Sequence, residues 1–193
     1  MDRMSMQDAR FFYLEDDNVL LHIGACAVLE GPPPTYGEFL ALTESKLSEV
    51  SRFRQVPLEV PWSLGRPVWA DHVSFNAEEH VNEMVVADPG DAPVLHAAVA
   101  RFMEGKLDRS RPLWDSTLVT GLEGNRWAVV IRAHHSMVDG VSGAELLKGI
   151  LDIDPDAVVA EPEPWNPAPP PSENKLVIDA VGDLAGQAAS TVG

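Results

Sequence analysis

A strand that runs into a turn and then into a helix constrains the fold of this chain most. Residues 126–133 (RWAVVIRA) are rich in β-branched and aromatic side chains, which is typical of a half-buried strand. Asp139-Gly140 is a turn signal. Ser142 and Glu145 form a capping box, which predicts a helix over residues 143–151. The intervening sequence HHSMVDG therefore lies where a strand, a turn and a helix meet.

Two adjacent histidines, His134 and His135, follow the apolar part of the strand. Successive strand side chains point to opposite faces, so one ring can enter a given cavity while the other packs. A neutral imidazole, whose ordinary pKa is about 6.5, can accept a proton from a hydroxyl or thiol nucleophile without a cofactor. Taken alone, such a histidine is more often a hydrogen-bonded core residue than a catalytic base. We expect no metal site with Asp139, because no HxxxH or CxxC pair completes the coordination.

The rest of the chain alternates irregularly between helix and strand patterns. Capping residues and hydrophobic periodicity predict helices over residues 6–12, 36–49 and 93–104, and strands over 20–29, 53–56, 68–73, 116–120 and 126–134. This alternation indicates an α/β fold, in the sense of a mixed α+β layered domain, rather than a helical bundle.

Charge and composition exclude several classes of function. The chain has 193 residues and a net charge of −16, which argues against nucleic-acid binding and against electrostatic docking on anionic lipid. No apolar stretch is long enough to span a bilayer. Cys26 is the only cysteine, which excludes intrachain disulfides and fits a cytoplasmic location. Any peripheral association with membranes or lipid droplets would then be hydrophobic.

The composition changes after about residue 154. Residues 155–174 are proline-rich and acidic, with seven prolines between residues 155 and 171, and this predicts an extended, poorly packed linker. Residues 175–193 return to an apolar, alanine-containing pattern compatible with a short helical stub. We therefore expect one domain over residues 1–154, a linker, and a stub with little to pack against.

HHxxxDG in this setting resembles the acyltransferases of the chloramphenicol acetyltransferase-like fold, and other segments resemble the bacterial wax ester synthase/diacylglycerol acyltransferase family in particular. The resemblance runs over residues 5–155 and includes SMQDARFF, RFR at residues 52–54, PVWAD, HV at residues 80–81, LDRSRPLWD and HHSMVDGVSG. It implies the N-terminal half of a two-domain acyltransferase, with the stub as the start of a missing second domain.

The resemblance also implies roles for the two histidines. The second histidine of the motif is the family's general base, so His135 would deprotonate an acceptor hydroxyl as its oxygen attacks an acyl thioester. His134 would orient the turn or pack. No cofactor is implied, and acyl-CoA would be a co-substrate.

The remaining motif residues would support the loop. The resemblance implies that Asp139 forms an ion pair with an arginine, for which Arg54 is the candidate and Arg132 a competitor. Asp139 could instead be only a turn former. Gly140 would supply a backbone conformation or a close approach that other residues disfavour.

Basic residues in an acidic chain are candidates for binding the polyanion coenzyme A. Lys106, Arg109 and Arg111 cluster before the PLWD sequence, although a solvated basic loop is an equal alternative. Asp115, the last residue of PLWD, departs from the family, in which glutamate is more frequent at this position.

Three functional hypotheses follow from the sequence. The first is an acyl-CoA-dependent O-acyltransferase half that acts on diacylglycerol or a long-chain alcohol and works with a separately encoded C-terminal half. The second is a catalytically inactive remnant that serves as a binding or partner module. The third is condensation chemistry on carrier-protein thioesters, which the family-specific segments outside HHxxxDG favour least.

Overall fold

The computed structural model describes residues 2–47, 50–138 and 164–191, with side chains described as far as residue 186 in the last range. Its strands are β1 (Asp2–Arg3), β2 (His22–Glu30), β3 (Gln55–Leu58), β4 (Val68–Asp71), β5 (Val81–Val85), β6 (Trp114–Leu122) and β7 (Arg126–His134). Its helices are α1 (Met6–Leu14), α2 (Tyr36–Leu47), α3 (Ala92–Met103) and α4 (Glu173–Thr191), and a 3-10 turn, His135–Met137, follows β7.

The strands form two sheets. The larger sheet has the order β2-β7-β6-β5, in which β7 is antiparallel to both neighbours and β5 is parallel to β6. The smaller sheet has the order β1-β4-β3 and is antiparallel. The structure therefore confirms the mixed α/β fold class.

Strands β6 and β7 are buried on both faces over most of their length, which explains the apolar run of residues 127–131 in β7. On one face Trp114, Leu118 and Ile131 belong to the main core, together with α1 and α2. On the other face Val119 and Val130 pack against α3. The two strands thus bring the end of β7 into the middle of the domain.

Short-range capping starts the helices where the sequence predicts. The Ser5 hydroxyl accepts a hydrogen bond from the Asp8 backbone N–H (3.1 Å) at the start of α1. Thr35 and Glu38 form the reciprocal capping box of α2, with bonds of 3.2 and 2.7 Å. The Asp91 carboxylate caps α3. The predicted starts of these three helices are confirmed to within a residue.

The segment after residue 163 differs from the expectation of a poorly packed linker. The Trp165 indole N–H donates to the carbonyl of His72 (2.8 Å), and the Ala168 backbone N–H donates to the Asp71 carboxylate (2.9 Å). Residues 164–171 are extended and mostly exposed, as predicted, but these two hydrogen bonds hold them against the strand β4 and the residue that follows it.

The predicted stub is helical, and α4 does find a packing surface. Leu176 and Ala180 are buried against Val60 and Val68 of the smaller sheet region. The prediction of a stub with little to pack against is therefore wrong, whereas the division of the chain into domains stays a prediction. Among the described residues, no helix has both the length and the apolar character needed to cross a membrane.

Candidate active site

Two backbone hydrogen bonds fix the end of β7. The His134 N–H donates to the carbonyl of Leu113 (2.8 Å), which precedes β6. The His135 N–H donates to the carbonyl of Leu21 (2.8 Å), which precedes β2. The main chain therefore holds both histidines from two sides, and His135 opens the 3-10 turn.

His134 is completely buried, and its ring caps the 3-10 turn. Its Nδ1 accepts the backbone N–H of Ser136 (3.1 Å) and lies 2.7 Å from the Ser136 hydroxyl. Since Nδ1 accepts, the proton of the neutral ring is on Nε2, which faces a Glu15 carboxylate oxygen at 3.5 Å. Burial lowers the pKa of His134 to about 4 despite the opposing effect of Glu15. The ring is thus neutral near pH 7.

Glu15 is a buried carboxylate directly after α1. Its Oε2 lies 3.2 Å from Nη2 of Arg109, and its Oε1 accepts the Leu21 N–H (3.3 Å). Arg109 also donates to the carbonyl of Phe12 (2.6 Å), and its guanidinium lies 4.1 Å from the centre of the Phe12 ring. A buried charge is costly unless it is paired, and here Arg109 supplies the pairing.

His135 has the opposite environment, because its side chain is only half-buried. Its ring stacks on Phe11 of α1, with 4.1 Å between ring centres and 28° between the planes. Its Nδ1 has no hydrogen-bond partner within the part of the chain that the structure describes. The structure thus separates a completely buried, neutral histidine from one whose ring is partly exposed but whose Nδ1 is enclosed.

Apolar surface extends from His135 along the outer side of α1. A surface depression of about 430 Å³ is lined by Met6, Gln7, Arg10, Phe11 and Leu14. Met6 is 72% exposed and Leu14 is 62% exposed. Phe11 therefore lies between the His135 ring and the exposed apolar side chains of α1.

The comparison with known proteins assigns the chain to a family. The sequence model of the wax ester synthase/diacylglycerol acyltransferase catalytic domain matches residues 4–193. The chain belongs to this family. The probable diacylglycerol O-acyltransferase tgs3 of Mycobacterium tuberculosis is 34% identical over 183 residues, which cover 94% of this chain and 68% of that protein. The probable diacylglycerol O-acyltransferase tgs1 of the same organism is 37% identical over 154 residues, covering 79% of this chain and 33% of that protein.

Solved structures show the same fold. The wax ester synthase/diacylglycerol acyltransferase of Marinobacter aquaeolei VT8 superimposes with a TM-score of 0.66 at 27% identity, covering 86% of this chain and 40% of that one. The starter condensation domain of rhizomide synthetase has a TM-score of 0.56 at 16% identity, covering 72% of this chain and 34% of that one, and it shows the fold alone. The chain therefore spans less than half the length of these structures.

Within this family fold, the pairing of Asp139 with Arg54 stays a prediction. Asp139, Gly140 and the helix predicted over residues 143–151 lie outside the described residues. The guanidinium of Arg54 lies over the Trp165 ring, 4.2 Å from its centre.

Arg132, the alternative candidate for pairing with Asp139, contacts Asp115 and two backbone carbonyls. Its Nη2 and Nε lie 2.8 and 3.1 Å from the Asp115 carboxylate, and its Nη1 donates to the carbonyls of Phe102 and Gly105. Strand pairing places Asp115, the last residue of PLWD, directly opposite Arg132. These contacts explain the aspartate at that position.

The PLWD sequence is part of the core behind the motif. The Trp114 indole N–H donates to the carbonyl of Phe53 (2.8 Å), and Nδ1 of His80 lies 2.8 Å from the carbonyl of Trp114. The His80 ring stacks on Trp114 with 4.8 Å between centres, and burial lowers the pKa of His80. The packing of this tryptophan is therefore structural.

The three basic residues before PLWD all make contacts within the chain. Lys106 lies 3.2 Å from the Asp17 carboxylate at the surface. Arg111 donates to the carbonyl of Glu79 (2.8 Å), and Arg109 holds Glu15 and Phe12. Arg109 is therefore a structural anchor rather than a residue of a solvated loop. No group of three potential metal-binding side chains occurs among the described residues.

Proposed function

We propose that this chain supplies the general base of an acyl-CoA-dependent O-acyltransferase that acts on diacylglycerol or a long-chain alcohol. The observation that carries the proposal is the different environment of the two motif histidines. His134 is buried and neutral with its Nδ1 hydrogen-bonded inside the turn, whereas His135 is only half-buried and its enclosed Nδ1 has no hydrogen-bond partner among the described residues. Together with membership of the family, this division favours His135 as the base.

The proposed reaction needs one proton carrier. His135 takes the proton of the acceptor hydroxyl while that oxygen attacks the thioester carbonyl carbon, giving a tetrahedral intermediate and an imidazolium. When the carbon–sulfur bond breaks, the imidazolium returns the proton to the thiolate of coenzyme A. The products are an ester and free coenzyme A, and the histidine is regenerated as a neutral base without a covalent acyl-enzyme.

The surroundings of His135 suit apolar substrates. Phe11 stacks on the ring, and Met6 and Leu14 extend an apolar surface along α1. The net charge of −16 disfavours attraction to anionic lipid, so peripheral contact with a membrane or lipid droplet would be hydrophobic. We propose that this peripheral contact with a membrane or lipid droplet takes place in the cytoplasm.

The complete reaction is proposed to need the part of the relatives that this chain does not span, either on the same polypeptide or as a separate subunit. The chain covers 40% of the Marinobacter enzyme, and correct orientation of two substrates contributes many powers of ten to a rate. The remaining portion would supply the other wall of the substrate site.

The test compares His135→Ala with His96→Ala, a matched change of an exposed histidine on α3. Acyl transfer from a long-chain acyl-CoA to diacylglycerol or hexadecanol is measured for the chain with and without the remaining portion of the Marinobacter enzyme. Loss of a general base should lower the rate by about 10²- to 10⁴-fold, whereas the control should retain it. Unchanged turnover in His135→Ala refutes the assignment.

The same assay separates the alternatives. Binding of acyl-CoA without turnover under both conditions would favour a binding or partner module. Transfer only from a carrier-protein thioester, and not from acyl-CoA, would favour condensation chemistry.

A further inference from the structure

We propose that Glu15 and Arg109 form a positioning pair that fixes the histidine turn, so that the His135 ring is held in one orientation. The inference builds on the proposed role of His135 as the base. Glu15 touches no substrate in this proposal and acts through other residues. It is a positioning residue rather than a catalytic residue.

The first connection runs through the His134 ring. Oε1 of Glu15 faces the protonated Nε2 of His134 at 3.5 Å, which is longer than a normal hydrogen bond, so the contact orients the ring mainly by electrostatics. The other nitrogen of the ring accepts the Ser136 N–H and thereby caps the 3-10 turn that begins at His135. A carboxylate beside Nε2 favours the tautomer that leaves Nδ1 free to cap.

The second connection runs through one peptide segment. The N–H of Leu21 donates to Oε1 of Glu15 (3.3 Å), while the carbonyl of the same residue accepts the His135 N–H (2.8 Å). Leu21 is therefore held by the carboxylate on one side and holds the backbone of the base on the other. Glu15 thus reaches His135 through the His134 ring and through Leu21, in both cases by its Oε1.

The third connection runs through α1. Glu15 is the C-cap residue of α1, and Arg109 donates to the carbonyl of Phe12 in the last turn of that helix. The preceding residue, Phe11, stacks on the His135 ring. Arg109 and Glu15 therefore also fix the helix that supplies the surface against which the base rests.

A purely structural ion pair would not need this arrangement. In the Glu15–Arg109 pair the carboxylate side chain is 0% exposed and the arginine side chain 30% exposed, and replacing a buried ion pair by apolar residues often costs little stability. A carboxylate that orients a histidine and its flanking backbone cannot be replaced in that way, because a small displacement of a base lowers the rate steeply.

The test uses Glu15→Gln, which keeps the shape and removes the charge, and Arg109→Lys, which keeps the charge and removes the planar fork. The exposed Glu104→Gln is the matched control. Nitrogen NMR of the histidine rings reports the tautomer of His134 and the line width of His135 in each folded variant. We expect a second tautomer of His134 and broadened His135 signals in both variants, with neither change in the control.

Kinetics provide the second readout. In an active assembly, Glu15→Gln should lower kcat by about 10- to 100-fold with KM within about twofold, as expected for a displaced base. Arg109→Lys should lower it less, since its charge remains. An unchanged His134 tautomer, sharp His135 signals and an unchanged kcat in Glu15→Gln would overturn the proposal.

The two proposals fail in different ways. If His135→Ala retains full activity while Glu15→Gln still disturbs the His135 signals, the base assignment is lost and the positioning pair stands. If His135→Ala is inactive and Glu15→Gln leaves both the NMR signals and kcat unchanged, the positioning pair is lost and the base assignment stands. If Glu15→Gln does not fold, Arg109→Lys decides by the same criteria.

Discussion

Asp115 and Arg132 face each other across β6 and β7, with 2.8 Å between a carboxylate oxygen and Nη2. Both side chains are largely buried, and Arg132 also donates to two backbone carbonyls near the end of α3. The pair therefore ties the central hairpin to the loop after α3, close to the start of the PLWD sequence.

Asp115→Asn should lower the free energy of unfolding by about 2–4 kcal/mol, because it leaves the buried guanidinium without its counter-charge. Urea unfolding measures this change. The control is Glu123→Gln, which removes the negative charge beside the half-buried Arg126 and should cost at most about 1 kcal/mol. Equal effects of the two variants would contradict the importance of burial here.

Trp165→Phe should lower the free energy of unfolding by about 1 kcal/mol, since it removes the indole hydrogen bond to His72 and keeps an aromatic ring over Arg54. Trp165→Ala should cost more and should speed proteolytic cleavage within residues 164–171. Trp62 is 82% exposed, so Trp62→Phe is the matched control and should change neither stability nor cleavage. Slow cleavage in Trp165→Ala would argue against this anchor.

Stability should fall as the pH falls from 6.5 towards 4. Burial lowers the pKa of His134 from its ordinary 6.5 to about 4, so the unfolded chain binds a proton in this window that the folded chain does not. The pKa of the buried His80 is lowered as well, which acts in the same direction. Well above pH 6.5 both rings are neutral in the folded and the unfolded chain, and this contribution is constant.

His134→Asn should flatten this pH dependence, because it removes one of the groups whose protonation favours unfolding. The measurement is the midpoint of urea unfolding at several pH values between 4 and 7. His96→Ala, a change of an exposed histidine, should give a curve parallel to that of the unmodified chain. A parallel curve for His134→Asn would show that this ring does not titrate differently on folding.

Gly90→Ala should destabilise the fold by more than about 1 kcal/mol. Gly90 has a positive φ of 65°, and an added Cβ would collide with the carbonyl oxygen of Gly121 and lie 3.0 Å from Cα of Leu122. Gly37 lies in α2, where a Cβ would meet nothing within 4 Å, so Gly37→Ala should stabilise by up to about 1 kcal/mol. Thermal unfolding of the two variants should therefore shift in opposite directions.

The features that the sequence predicts correctly are mainly local. The caps at Ser5, Thr35 and Asp91 depend on contacts three residues away, so the pattern and the structure are fixed by the same short segment. The β-branched and aromatic run of residues 126–133 predicts that His134 and His135 lie at the end of a strand, and the structure confirms that position.

The features that it misses depend on contacts between distant parts of the chain. Strand β5 (Val81–Val85) contains polar residues and is largely exposed, and only its parallel pairing with β6 makes it a strand. Glu15 has no mark in the sequence, because its buried contacts are with Arg109, 94 positions away, and with His134. The anchoring of Trp165 likewise depends on distant contacts, and the prolines around it predict only an extended linker.

Backbone N–H groups anchor both motif histidines to carbonyls of neighbouring chain segments. The carbonyls of Leu21 and Leu113 are present whatever side chains those positions carry. The backbone of the sheet therefore fixes where His134 and His135 lie. Substitutions at exposed positions of α1 such as Met6 and Leu14 therefore leave the backbone anchors of the two histidines in place.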